Sequence, residues 1–294
     1  MRLLRRENID YEELENSILR QWPLPPRLIT DGINIDPEPP SQLFITDTTF
    51  RDGQQAFYIY YSIGDAVRLF RLLADLDNGS GRIIRSEFFL YTGRDRELVR
   101  TVRGLGLEWP RVIGWGGRAK VEDVRLVKEA GLDEMVMLMS ISDIHIRYKF
   151  NSTRDRVVAK YLEAAEYALK EGIRLRCSLE DVTRSDVIGF VIPFVEKLLK
   201  LSERYGVEIT IKLPDTTGVG VPYPFAPLPY SIPKLVWVFR RVLGIPSEFL
   251  EFHGHGDYYM AVPNAVAAWL YGGASINNGT LLGGIGGERA GNVP

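Results

Sequence analysis

"DTTFRDGQQA", residues 47–56, follows the apolar run Leu43-Phe44-Ile45. The run reads as a buried strand, yet it ends in an adjacent cation and anion, Arg51 and Asp52, with Gly53 directly behind. A surface turn carrying an ion pair is one explanation. The other is a strand end that presents a metal ligand beside an electrophilic clamp. The rest of the chain has to decide between them.

Strand-like and helix-like stretches alternate from Leu43 onward. Strands are expected at residues 43–47, 82–89, 111–115, 134–139, 173–179, 207–213, 249–253 and 273–277. Helical patterns lie between them. "VVAKYLEAAEYALKEG" places Val157, Val158, Tyr161, Leu162, Ala165, Ala168 and Leu169 on one face, with Gly172 as the stop. "VEDVRLVKEAG" stops in the same way at Gly131, and "PKLVWVFRRVLG" runs from Pro233 to Gly244. Eight such units predict an α/β fold, a (β/α)8 TIM barrel, which takes about 250 residues. An open doubly wound sheet is the alternative, but it asks for fewer strands and a glycine-rich phosphate turn after the first. Gly53 alone makes no such turn.

The chain reaches Pro294 before any eighth helix, so the final barrel helix is expected to be missing, or its face to be covered by the N-terminal arm or a partner. Residues 1–42 read differently from the remainder. "YEELENSILRQW" suits a short helix, and the prolines of "PLPPRL" and "DPEPPS" break regular structure. An N-terminal arm or linker (1–42) is therefore expected ahead of a catalytic barrel (43–294).

Composition narrows the function. With 294 residues, 45% of them hydrophobic, a net charge of −2 and scattered basic residues, nothing suggests a nucleic-acid surface. Cys177 is the single cysteine, which excludes an internal disulfide and suits a reducing cytoplasm. No signal peptide or membrane span is visible, and Asp10, Glu12, Glu13 and Glu15 argue against a transit peptide.

In a barrel of this kind chemistry sits at the C-terminal ends of the strands. The seventh strand ends "FHGHGD". On an extended chain His253 and His255 point the same way and offer two imidazoles to one point. The chain has only three histidines, and two stand here at ligand spacing. Together with a carboxylate such as Asp52, they leave open positions on a divalent ion: Mg, Mn, Co, Fe or Zn. Asn292, closing the glycine-rich "NGTLLGGIGGERAGN", is a candidate fourth ligand, and Glu288 and Arg289 can pair to shape that loop. On the fifth strand Arg176, Ser178 and Glu180 share a face, and Glu180 is a candidate base or orienter. Its plain alternative is a solvated residue beside a helix cap at Asp181. The other ends offer Asp215 and Thr216, then Ser140, Ser142, Asp143 and His145, then Glu87, and then Arg118. Each alone is an ordinary loop residue, but their density is not.

Six segments taken together, "DTTFRDGQQ", "SDIHIRYKFNSTRD", "SLEDVTRSD", "LPDTTG", "HGHGD" and "GGERAGN", resemble the metal-dependent carbon–carbon ligases and lyases that share a barrel and a D-R-E signature. These DRE-TIM metallolyases include the 2-isopropylmalate, homocitrate and citramalate synthases and hydroxymethylglutaryl-CoA lyase. The resemblance implies that Asp52, His253, His255 and Asn292 hold a divalent metal. It implies that Arg51 meets the carbonyl oxygen where charge develops, and that Glu180, Thr216, Ser178 and His145 line the pocket. Glu87 and Arg118 complete the candidate substrate-binding set. The lyase branch carries a catalytic cysteine in its last glycine loop. "GGIGGERAGN" has none, so the synthase branch fits better, although "GGIGG" is slightly longer than the usual synthase loop.

Within the synthases, "IIRSEFFLYTGRD" and "GVGVPYPFAPLPYSIPKL" look most like the Re-type citrate synthases, which implies oxaloacetate as acceptor and acetyl-CoA as co-substrate. The absence of the isopropylmalate synthases' C-terminal regulatory domain leans the same way. The implied enzyme is an acyltransferase: the 2-oxoacid binds the metal, acetyl-CoA loses a methyl proton, the enolate attacks the ketone, and thioester hydrolysis frees CoA. Glu180 is the candidate base or its positioner. Arg85, Arg118 and Arg184 are candidates for a second acceptor carboxylate. A cytoplasmic homodimer is expected. The alternatives are a homocitrate, 2-isopropylmalate or citramalate synthase, a hydroxymethylglutaryl-CoA lyase-like cleavage, and a non-catalytic barrel subunit of a complex.

Overall fold

The structure, a computed structural model, describes residues 28–30, 33–35, 37–56, 58–281 and 293. It begins with a short antiparallel hairpin, β1 (Leu28–Thr30) and β2 (Ile33–Ile35). The sequence reading expected the prolines to break regular structure here. Instead the segment between the two proline clusters pairs with itself, Leu28 opposite Ile35 and Thr30 opposite Ile33. The helix expected in "YEELENSILRQW" lies outside the described residues.

All eight expected strands form and close into one parallel barrel. They are β3 (Phe44–Asp47), β4 (Ile83–Phe88), β5 (Arg111–Gly116), β6 (Glu134–Ser140), β7 (Arg174–Glu180), β8 (Ile209–Asp215), β9 (Leu250–Gly254) and β10 (Ile276–Gly279), with β10 pairing back onto β3. The open doubly wound sheet is excluded by that closure. Among the described residues seven α-helices alternate with them: α1 (Ile63–Asp77), α2 (Gly93–Arg103), α3 (Val121–Glu129), α4 (Arg154–Lys170), α5 (Ile192–Tyr205), α6 (Ile232–Arg241) and α7 (Ala261–Gly272). Among the described residues no helix follows β10.

Local chemistry explains the boundaries. Ser62 with Asp65 and Thr92 with Asp95 form capping boxes that start α1 and α2. The expected face of α4 is its buried one, and Gly172 stops it with φ 73°. The last strand starts three residues later than expected because Gly273 takes a left-handed conformation (φ 69°) to cap α7. Strand residues facing the helices are buried and apolar, such as Met135, Met137, Cys177, Leu179, Ile211 and Leu213. Residues facing the barrel interior are unusual, for they include Glu87, Glu134, Arg176, Lys212 and Glu251, all buried.

Candidate active site

The "DTT" that opens the deciding stretch is a turn organiser. Asp47 is buried and accepts from the backbone N–H of Thr49 (3.1 Å), from Thr49 Oγ1 (2.5 Å) and from Ser86 Oγ (2.5 Å). Burial pushes its carboxyl up to about 6 against the pull of those hydrogen bonds. The tight turn that follows, with the N–H groups of Arg51 and Gly53 donating to Thr48 O, aims the next two side chains inward.

Asp52, His253 and His255 then converge. Their ligand atoms all lie within 4.8 Å of one another. Asp52 Oδ2 is 3.3 Å from His253 Nε2 and 3.8 Å from His255 Nε2, and the two Nε2 atoms are 3.1 Å apart. His253 Nδ1 lies 2.5 Å from Asn278 Oδ1, which can only accept, so Nδ1 carries the proton and Nε2 the lone pair. Asn278 in turn donates to Glu251. Burial first, then the charge of Lys212, pushes His253 down to about 3, so the ring is neutral. Burial would raise Asp52, but Arg51 and His253 outweigh it and hold the carboxyl well below the usual range. Asp52 Oδ2 is buried without a hydrogen-bond partner. Two imidazole lone pairs and one such carboxylate oxygen at one point fit a divalent cation and leave positions for substrate oxygens. Asn292, Glu288 and Arg289 lie outside the described residues.

Arg51 sits beside this centre, 4% exposed. Its Nε donates to Glu87 Oε2 (2.9 Å), one terminal nitrogen is 2.8 Å from the same oxygen, and the other is 2.7 Å from Asp52 Oδ1. The guanidinium lies 3.9 Å from the centroid of the Trp115 ring. Glu87 does not line the cavity. It is fully buried behind Arg51 and also receives Lys212 Nζ at 2.6 Å. Against burial, Lys212 and Arg51 keep the Glu87 carboxyl low.

The cavity above has a volume of about 800 Å³ and is lined by Arg51, Asp52, Trp115, Arg118, Ser178, Glu180, Thr216, His253 and His255 among others. His145 is not on its wall; it stands behind Glu180, with Nδ1 3.5 Å from Oε2. Glu180 also pairs with Lys149 (2.8 Å) and accepts from Ser140. Burial raises its pKa, but His145 and Lys149 prevail and bring it down to about 2. Glu180 itself lines the cavity, with the Lys149 ammonium held against it. Ser178 Oγ is buried with no hydrogen-bond partner, and Thr216 Oγ1 accepts from the backbone N–H of Asp181 (2.8 Å). Arg118 stands half-exposed at the rim, clamped by Asp123. Arg85 pairs with Glu134 and Arg184 with Asp181, and neither reaches the cavity.

The sequence reading missed Trp115, Lys149 and Lys212 on this wall. Lys212 had a signal, a lone cation inside the apolar run "ITIKLP". Trp115 and Lys149 had none beyond their motifs.

A family model described as HMGL-like matches residues 42–294. The chain is 46% identical over 269 residues to the citrate (Re)-synthase of Clostridium kluyveri, covering 92% of this chain and 58% of that protein. It is 49% identical over 257 residues to the citrate (Re)-synthase of Syntrophus aciditrophicus, covering 87% and 40%. The chain thus spans about half the length of these curated relatives. Among solved structures, the HMG-CoA lyase from Brucella melitensis superposes with a TM-score of 0.66 at 20% identity, over 86% of this chain and 87% of that one. At that identity the likeness shows the barrel alone.

Proposed function

Because the chain belongs to the HMGL-like family, we propose that it carries the site of a metal-assisted Claisen condensation of acetyl-CoA with a 2-oxoacid, oxaloacetate, to give citrate. The observation that carries this is the convergence of Asp52, His253 and His255 at the barrel mouth with Arg51 beside them. A divalent ion held by those three residues, Mn, Mg, Co or Zn, would withdraw electron density from the keto oxygen of the acceptor.

The remaining roles fall to side chains. Arg51 is fixed before substrate arrives and stabilises the negative charge that develops on the keto oxygen as the new carbon–carbon bond forms. Trp115 covers one face of that guanidinium and keeps water from it. Glu180 is a positioning residue for Lys149, which places a cation over the cavity. The thioester is then hydrolysed and CoA leaves.

A lyase that relies on a cysteine is disfavoured. Cys177 is fully buried outside the cavity, and burial pushes its thiol up to about 12. A cytoplasmic location and a homodimer belong to the same reading. The lone buried thiol supports the first, and the exposed apolar side chains Leu43, Ile45, Val262 and Val266 support the second. Among the described residues no helix is long and apolar enough to cross a membrane.

The test is a panel of oxaloacetate, 2-oxoglutarate, pyruvate and 2-oxoisovalerate with acetyl-CoA, reading CoA release with a thiol reagent. Oxaloacetate should win, and labelled product should report the face attacked. A different winner moves the chain to a sister synthase; cleavage of hydroxymethylglutaryl-CoA without condensation refutes the reading.

A further inference from the structure

We propose that Lys212 binds the distal carboxylate of a dicarboxylic 2-oxoacid and so selects the acceptor. The inference rests on the condensation proposed above and names the residue that chooses its substrate.

Depth comes first. Lys212 is fully buried and yet lines the cavity. Pro214, two residues further along β8, is in register with His253. Lys212 therefore lies one side-chain layer beneath the imidazole ligand, about 6.6 Å along the strand at 3.3 Å per residue. A 2-oxoacid held by its oxo-acid end at the ligand layer directs the rest of its chain toward that floor. In oxaloacetate the second carboxylate follows after a single methylene.

Hydrogen-bonding capacity comes second. An ammonium group has three donors. Among the described residues, Glu87 Oε1 at 2.6 Å is the acceptor within hydrogen-bond distance of Nζ, and Glu251 Oε1 stands off at 3.7 Å. Donors are left over beside the cavity. On the neighbouring strand, Ser178 is in direct register with Lys212, and its buried Oγ has no partner. A spare ammonium and a spare hydroxyl side by side make a carboxylate cradle.

Electrostatics agree. Burial above all, with Arg51 and Arg176 nearby, pushes Lys212 down despite the attraction of Glu87. The ammonium is undercompensated, and an incoming carboxylate supplies the missing negative charge. Arg118 competes poorly for this task, since Asp123 already takes its Nε and it sits at the rim.

The experiment compares oxaloacetate with 2-oxobutyrate, which carries a methyl group where oxaloacetate has the distal carboxylate. Binding is measured by calorimetry with Mg²⁺ present, and turnover with acetyl-CoA, for the unaltered protein and for Lys212→Met. The affinity and kcat/KM for oxaloacetate should fall by about 100-fold or more, while 2-oxobutyrate binding changes by less than about threefold. A purely structural lysine would lower both acids together, and an idle one would lower neither; either result overturns the proposal. Should Lys212→Met fail to melt cooperatively, Lys212→Gln, which still donates to Glu87, is measured in the same way. If the unaltered protein condenses no 2-oxoacid, the reaction reading fails, while the calorimetric comparison still decides the role of Lys212.

Discussion

Replacing Arg51 with lysine tests the reaction geometry with the charge left in place. The guanidinium spans two carboxylates at once, Glu87 through Nε at 2.9 Å and Asp52 through a terminal nitrogen at 2.7 Å, while its face rests on Trp115. A single ammonium on a flexible stem cannot satisfy both acids or hold that plane. One charged hydrogen bond is lost, about 1.5–3 kcal/mol, and the donor meant for the developing oxyanion is displaced. Loss of such a donor costs about 2.7–4 kcal/mol in the transition state, or about 100- to 1000-fold in kcat. The candidate ligands keep their own supports, Asn278 and the β9 backbone for His253, with His255 just past the end of that strand. Arg51→Lys should therefore retain its metal by elemental analysis, while CoA release at saturating acceptor drops by about 100-fold or more. Turnover within about threefold of the unaltered protein would refute the oxyanion role. Metal lost in step with turnover would show that Arg51 acts only by holding Asp52.

Two more outcomes follow from the hydrogen bonds around the site. Asn278→Ala removes the acceptor that fixes the His253 tautomer, so metal affinity measured by chelator competition should weaken by about 10- to 100-fold; unchanged affinity would mean that packing alone holds the ring. Glu180 titrates at about 2 in the fold against 4.5 ordinarily, so its ionised form stabilises the protein above pH 4.5, and that stability is lost as pH falls from 4.5 toward 2. The gap, 4.5 minus 2, corresponds to about 3 kcal/mol. In Glu180→Gln the urea midpoint should fall less steeply across that window, and an equal slope would show that the acid limb belongs to other groups.

The barrel was legible because each parallel strand is a short apolar run closed by a polar end, a pattern that survives in one dimension. The convergence of the paired imidazoles was legible for a related reason. His253 and His255 are two residues apart, at and just past the end of one strand, and alternation along extended chain gives their common direction without tertiary knowledge. What escaped depends on neighbours in space. Glu87 stands near the end of its strand and looks like a pocket residue, yet Arg51, from the turn that follows the strand beside it, roofs it over. The pairing of Glu180 with Lys149 and His145, from the preceding strand's loop, could not be read from its own segment. Lys212 is one cation in an apolar strand, and only closure of the barrel shows that it faces the cavity rather than the helices.

The interior charges point to a common cause for these misses. Barrel interiors are ordinarily filled by branched apolar side chains. Here Arg176 pairs with Glu251, which holds Asn278, which holds His253. A second line runs from Lys212 to Glu87, from Glu87 to Arg51, and from Arg51 to Asp52. One line ends on His253 and the other on Asp52, and they approach each other where Lys212 stands 3.7 Å from Glu251. Buried ion pairs of this kind add little net stability, because desolvation offsets their attraction. Their contribution lies in position. An apolar filling would offer Arg51 and His253 no partners, whereas here Glu87 holds the guanidinium and Asn278 the imidazole. The charged floor is therefore part of the site: Glu87 and Asn278 set the direction of Arg51 and His253 above it, and Lys212 reaches the cavity wall.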